Sequence, residues 1–122
     1  MVEVVSSTDI ITGEDLAVNI ASFGRHLRAE NLSPRTQETY TEATRQFAKF
    51  LAAQGMPQEV AHIHREHVEA FISHLLDRWK PATANNRFRG VQAFFKWLVD
   101  EGEVKESPMS RMKPPKVPLD PP

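Results

Sequence analysis

The 122-residue sequence contains no cysteine, which excludes disulfide bonds and thiolate metal sites. It also lacks a long apolar run, and its longest runs fall far short of the roughly 20 residues that a membrane-spanning helix needs. The opening residues, Met1-Val-Glu-Val-Val, have neither the basic start nor the apolar stretch of a secretory signal. We therefore expect a cytoplasmic protein without a membrane-spanning segment.

The sequence shows no convincing pair of β-strands and no repeat with a period of about 20–50 residues. Its length suits one domain with a real core, and 40% hydrophobic with 25% charged residues is ordinary globular usage. Apolar residues at helical spacing, joined by short connectors, predict an all-α bundle of four main helices. The predicted helices cover about residues 14–30, 34–53, 65–79 and 82–100, with a short extra turn near 107–112.

We divide the chain accordingly into three parts. Residues 1–13 are expected to form an N-terminal extension, and residues 14–112 the helical body. Prolines dominate residues 113–122, which predicts an extended linker that leads to further chain.

Positive charge is concentrated between Arg78 and Val99, where five basic and no acidic residues occur, although the whole chain has a net charge of −1. One face of this predicted helix is apolar, at Ala84, Phe88, Val91, Phe95 and Leu98. The other face is basic and rich in amides. Phosphates attract Lys and Arg, and base edges are contacted by Asn, Gln and Arg, so this face suits a nucleic-acid groove. An ordinary solvated surface is the alternative.

The second predicted helix begins with a strong start signal. Ser33 is suited to cap the helix, and Pro34 is suited to its first position, while Gly55 is suited to its end. Arg35 and Thr36 then lie beside free backbone N–H groups, which together can receive a phosphate. Capping by Ser33 alone is the alternative.

Several further residues are expected in or near the core, and Phe94 is expected outside it, against a neighbouring domain or protomer. The connector over residues 56–64 and the turn near 107–112 each contribute apolar side chains. The residues expected in the core or at its edge are Val60, Ile63, Trp79, Trp97, Met109 and Met112.

His62, His64 and His67 could imitate a metal cluster. No arrangement of carboxylates or thiols supports such a site, so solvated histidines are the preferred interpretation. We predict neither a metal nor a cofactor.

Three stretches resemble the core-binding domain of tyrosine recombinases, the phage-integrase family. Leu32-Ser-Pro-Arg-Thr-Gln-Glu-Thr-Tyr40, then Phe47-Ala-Lys-Phe-Leu51, is similar to the opening of that domain. Thr83-Ala-Asn-Asn-Arg-Phe-Arg-Gly-Val-Gln-Ala-Phe-Phe-Lys-Trp-Leu98 is similar to its last helix, and Glu106-Ser-Pro-Met-Ser-Arg-Met-Lys-Pro-Pro-Lys116 to its exit segment. Their order and spacing cover roughly residues 15–116.

The resemblance implies a SAM-like bundle that forms one half of a clamp around double-stranded DNA at a recombination site. In the family, a C-terminal domain with a tyrosine nucleophile, two arginines, a lysine and histidines performs the chemistry. That set is missing here: the one tyrosine is Tyr40, and the His-x-x-Arg spacing of His62 and Arg65 is interpreted as a coincidence. We therefore predict that this chain is not an enzyme, although the parent protein is expected to be a recombinase.

The predicted partners are duplex DNA and, in the full-length protein, other recombinase protomers, while the isolated chain is expected to be monomeric. Helices two and four are expected to face the DNA. The predicted DNA-binding residues are Ser33, Arg35, Thr36, Lys80, Thr83, Asn85, Asn86, Arg87, Arg89 and Lys96, with Arg45 and Lys49 as weaker candidates.

Two alternative functions remain open. One is a helical protein–protein interaction module, in which the basic helix binds an acidic partner and Phe94 is the anchor. The other is a non-catalytic DNA-binding regulator, which the proline-rich exit disfavours.

Overall fold

The computed structural model describes the backbone of residues 2–119 and the side chains of residues 15–119. It contains the α-helices α1 (Val2–Ala29), α2 (Pro34–Ala53), α3 (Arg65–Arg78) and α4 (Pro81–Asp100), and a 3₁₀ turn at Val60–His62. Residues 2–119 form no β-strand, which confirms the predicted all-α bundle. Within the same range, no helix has the length and apolar character that crossing a bilayer requires.

Most helix boundaries follow the signals in the sequence. The Thr36 N–H donates to Ser33 Oγ at 3.2 Å, which caps α2 directly before its first residue, Pro34. Gly55 and Gly102 adopt positive φ angles of 67° and 78° just beyond α2 and α4, where a left-handed residue ends a helix. The prediction for α2 is confirmed at both ends.

α1 begins earlier than the sequence predicts, at Val2 rather than near residue 14. The preceding stretch contains no proline, and its β-branched residues lower helix propensity by only a fraction of a kcal/mol each. Asp15 therefore lies inside α1 and not in its first turn. Asp15 Oδ2 instead accepts the backbone N–H of Val60 at 2.6 Å, so this carboxylate joins α1 to the connector.

The connector is held to the bundle at several points. Besides the bond from Val60 to Asp15, the Leu16 N–H donates to the Gln58 carbonyl at 3.0 Å. Val60 and Ile63 are each only 3% exposed, so the prediction that they fill the core is confirmed. The connector therefore closes one side of the core while it links α2 to α3.

α4 is the central helix of the bundle. Its fully buried residues are Ala84, Phe88, Gly90, Val91, Phe94, Phe95 and Leu98. Phe47 of α2 packs on both Phe71 and Phe95, with ring centroids 5.2 and 6.0 Å apart. The apolar stripe predicted for α4 is therefore confirmed, and the buried surface extends beyond that stripe.

Phe94 corrects the sequence interpretation, which placed it on the exposed side. It is 0% exposed, and its ring centroid lies 5.3 Å from that of Phe23 in α1 and 6.4 Å from that of Trp97. The reason is that α1 covers a second flank of α4, next to the flank covered by α2. A single periodic stripe does not reveal this second contact.

Trp79 is the second correction, because its side chain is 56% exposed rather than inward. α3 ends at Arg78, and Pro81 disfavours helical backbone at the preceding Lys80. Trp79 has extended backbone angles, φ −131° and ψ 167°, and so leaves the face that α3 buries. Trp97, by contrast, lies half-buried at the edge of the core, as predicted.

The segment after α4 folds back onto the bundle. Ser107 Oγ accepts the Met109 N–H at 3.0 Å, and the Met112 N–H donates to the Met109 carbonyl at 3.0 Å, which forms a compact turn. Met109 is 1% exposed and Met112 packs on the core, as predicted, although the turn is too short to count as a helix. Irregular backbone follows up to Leu119.

Candidate nucleic-acid interface

The exposed face of α4 carries basic residues, and the one acidic residue of the helix is Asp100 at its carboxyl end. Asn86, Arg89 and Lys96 are all solvent-exposed. Arg89 and Lys96 are seven residues apart, close to two turns, so they project from the same side of the helix. No aspartate or glutamate occurs between Pro81 and Val99. The structure thus presents these side chains on one exposed arc.

α2 and α4 form a shallow depression of about 410 Å³ beside this arc. Its lining residues are Tyr40, Arg89, Gln92, Ala93 and Lys96. Two cationic side chains and a phenol around one depression are groups that bind a phosphate. Gln92 was not among the predicted contact residues, although its position between Arg89 and Lys96 on the same helix is a signal for it.

Arg87 does not line that depression and instead contacts α2 at Gln46. Its Nε donates to Gln46 Oε1 at 3.1 Å, and Gln46 Nε2 donates to Glu42 Oε2 at 3.0 Å. Glu42 Oε1 also accepts from Arg45 Nη1 at 3.1 Å. Arg45 and Arg87, two of the predicted contact residues, therefore share a polar network that joins α2 to α4 around one carboxylate. Single-helix spacing gave no signal for this network, because its partners come from two helices.

Asn85, one of the predicted contact residues, forms two hydrogen bonds through its side chain. Its Nδ2 donates to the Pro115 carbonyl at 3.1 Å, and its Oδ1 accepts from Arg89 Nε at 2.9 Å. The side chain is half-buried between α4 and the exit segment. Both ends of its amide thus have protein partners.

The starts of α2 and α4 hold the remaining predicted residues. Ser33 Oγ donates to Thr36 Oγ1 at 2.9 Å while it caps the helix, and Arg35 beside them is exposed. At α4 the Lys80 carbonyl accepts the Thr83 N–H at 2.9 Å; the Lys80 side chain is exposed, and Thr83 is half-buried. Each start thus offers one exposed cation.

His62 and His64 of the connector and His67 of α3 have local partners. His62 Nδ1 lies 3.4 Å from Glu59 Oε1, and the His64 N–H donates to His67 Nδ1 at 2.9 Å. In the part of the chain with described side chains, no group of three or more His, Asp or Glu residues has an arrangement suited to a metal ion.

The geometry defines a small all-α domain whose central helix, α4, presents a cationic face beside α2. Residues 20–103 match the family described as "Phage integrase, N-terminal SAM-like domain". The chain belongs to this family: it is the N-terminal, core-binding type of domain found in tyrosine recombinases.

Similar proteins agree with this assignment. The chain is 30% identical to tyrosine recombinase XerC of Chlorobaculum tepidum and 29% identical to tyrosine recombinase XerD of Lacticaseibacillus casei. These alignments each cover 80% of the chain, but 31% and 33% of those proteins, so the chain spans about a third of their length. The integrase from mycobacterium phage Brujita has the same fold, with a TM-score of 0.70 and 22% identity over 92% of this chain and 36% of its own.

Proposed function

We propose that this chain binds duplex DNA through the exposed face of α4 and the start of α2. It acts as the core-binding part of a site-specific tyrosine recombinase. Residues 14–112 form the binding body, and residues 113–122 lead toward a catalytic domain elsewhere in the protein. In that proposal the chain does not cut DNA itself, it works in the cytoplasm, and it meets other protomers only on the DNA.

One observation carries the proposal: Arg89 and Lys96 stand on the same exposed side of a helix that has no acidic residue before its last position, Asp100, in a domain of the phage-integrase family. Within residues 15–119 neither cation is paired with a carboxylate, so both are available to attract phosphates. Asn86 lies on the same arc and has an amide that suits a base edge or a phosphate.

The network around Glu42 divides the predicted contacts into two groups. Arg89, Lys96, Arg35 and Lys80 are exposed, and in the described part of the chain none of them forms an ion pair. Arg45 is paired with Glu42, and Arg87 is held by Gln46. The first group is proposed to supply most of the phosphate contacts. Arg45, Arg87 and Asn85 contribute less directly.

The proposal is tested by fluorescence anisotropy titration of a labelled duplex at low and moderate salt. We expect a Kd of about 10⁻⁴–10⁻⁶ M near physiological salt, because half of the clamp is absent. The slope of log Kd against log salt should be roughly 0.9 for each neutralised phosphate. Arg89→Ala with Lys96→Ala should weaken binding and lower this slope.

The matched control removes two exposed cations from α1, by Arg25→Ala with Arg28→Ala. Both double variants lose the same charge, so a purely non-specific effect would weaken them equally. Equal losses, or binding that survives the loss of Arg89 and Lys96, would reject the α4 surface. Circular dichroism verifies that each variant remains helical.

The alternative of a protein-interaction module loses its expected anchor, because Phe94 is buried against Phe23 and Trp97. A duplex titration with no signal at low salt would nonetheless favour a protein partner over DNA.

A further inference from the structure

Asn85 connects α4 to the exit segment near the point where that segment becomes exposed. Its Nδ2 donates to the backbone carbonyl of Pro115, thirty residues later, and its Oδ1 accepts from Arg89 Nε. An asparagine amide has one donor end and one acceptor end, so the two bonds fix its orientation together. If one bond is lost, the other is no longer aligned.

Pro115 is where the exit segment leaves the bundle. Met109 is buried, Met112, Pro114 and Pro115 are half-buried, and every described residue from Lys116 to Leu119 is exposed. Prolines restrict the backbone, so the direction at residue 115 is passed on to the chain that follows. The bond from Asn85 is therefore the last side-chain attachment before the described segment becomes exposed.

Arg89 is held by only one of its donors. The Nε–H group is used by Asn85, and within residues 15–119 the two terminal amino groups have no other side-chain partner. A guanidinium held at Nε has a restricted direction while its outer edge stays free, and that edge is the one that binds phosphate bidentately.

We propose that Asn85 is a positioning residue that holds the exit segment and aims Arg89 with the same amide, so that linker placement and phosphate contact are coupled. The part that concerns Arg89 rests on the proposed DNA-binding function, and the part that concerns the exit segment does not. Asn85 on this account binds no base itself. The position of the chain beyond Pro115 and the direction of the Arg89 guanidinium are then fixed relative to each other.

The first half of the test uses a spin label on the intact chain. The sequence has no cysteine, so Val117→Cys gives a single labelling position, two residues beyond Pro115 and 46% exposed in the native residue. Asn85→Ala should increase the mobility of the label in the electron paramagnetic resonance spectrum. The control is Asn86→Ala, on the adjacent exposed asparagine, which should leave label mobility unchanged.

The second half is a double-mutant cycle on duplex affinity with Arg89→Ala. Asn85→Ala should weaken binding about two- to tenfold, the range of one net hydrogen bond, although it removes no charge. In the Arg89→Ala background the same substitution should add no further loss, because its effect acts through Arg89.

Unchanged label mobility would overturn the proposal, and so would equal losses from Asn85→Ala with and without Arg89. If Arg89→Ala itself leaves affinity unchanged, the DNA surface and the coupling both fail, while an increase in label mobility would still establish the attachment of the exit segment. If Arg89→Ala weakens binding but Asn85→Ala does not, the coupling alone is wrong. The failures of the two proposals are thus distinguishable.

Discussion

Gly90 of α4 lies directly against Ala43 of α2, so closely that a Cβ on residue 90 would stand 2.5 Å from Ala43 Cβ. The same atom would lie 3.4 Å from the Tyr40 Cα, so backbone as well as side chain closes this space. α2 and α4, which carry the proposed surface, can therefore cross this closely only because residue 90 has no side chain. Tyr40 with its depression lies on one side of Ala43, and Gln46 with Arg87 on the other.

The first prediction follows from this contact. Gly90→Ala should lower the free energy of unfolding by about 1–2 kcal/mol, because the cost of overpacking exceeds the gain of up to about 1 kcal/mol in helix propensity. Gly24→Ala is the matched control, since a Cβ there meets nothing within 4 Å, and it should stabilise α1 by about 0.5–1 kcal/mol. Urea unfolding followed by circular dichroism measures both. Two stabilised variants would contradict the tight crossing.

The second prediction separates capping from DNA contact at Ser33. Ser33→Ala should destabilise the domain by about 1 kcal/mol, because the Thr36 N–H loses its acceptor. Ser33→Asp keeps an acceptor and should retain stability, since a carboxylate suits a helix start. It should nonetheless weaken duplex binding by repelling phosphate. Unchanged affinity for Ser33→Asp at low salt would remove this helix start from the proposed interface.

The third prediction concerns Glu42, which lies among the candidate cations. Glu42→Ala should strengthen duplex binding about two- to fivefold at low salt, because it removes a negative charge and frees Arg45. Stability should change by less than about 1 kcal/mol, as is usual for an exposed pair. Glu66→Ala, at an exposed position in α3, provides a charge-matched control. A similar gain for both variants would mean that only net charge matters.

The fourth prediction contrasts two aromatic residues. Phe94→Ala should cost about 3–5 kcal/mol, because a fully buried ring between α1 and α4 is replaced by a cavity. Trp79→Ala should change stability by about 0.5 kcal/mol or less, since its side chain is 56% exposed. Thermal unfolding ranks the two variants, and the reverse order would contradict the packing described here.

Features that depend on residues close together in the chain were predictable from the sequence. Ser33, Pro34 and Gly55 mark the ends of α2, and the structure agrees because capping depends on neighbouring residues alone. The apolar stripe of α4 is likewise visible in its spacing. The cationic face is then predicted from the remaining positions of the same helix, which lie outside the apolar stripe.

The features that sequence reasoning missed depend on contacts between distant residues. Phe94 is buried because α1 covers a second flank of α4, and no periodic pattern within α4 shows how many neighbours it has. The bonds from Asn85 to Pro115 and from Arg87 to Gln46 cross thirty and forty-one positions of the chain. Trp79 differs for a local reason that was available: the proline at residue 81 ends the helix before it.

The bond from Val60 to Asp15 has a consequence for how the molecule opens. The Val60 amide lies outside the four main helices, and its partner is a side chain of α1 forty-five positions earlier. Deuterium uptake at this single amide therefore reports whether α1 is docked, independently of whether α1 itself is helical. The connector thus carries a built-in probe for detachment of the amino-terminal helix.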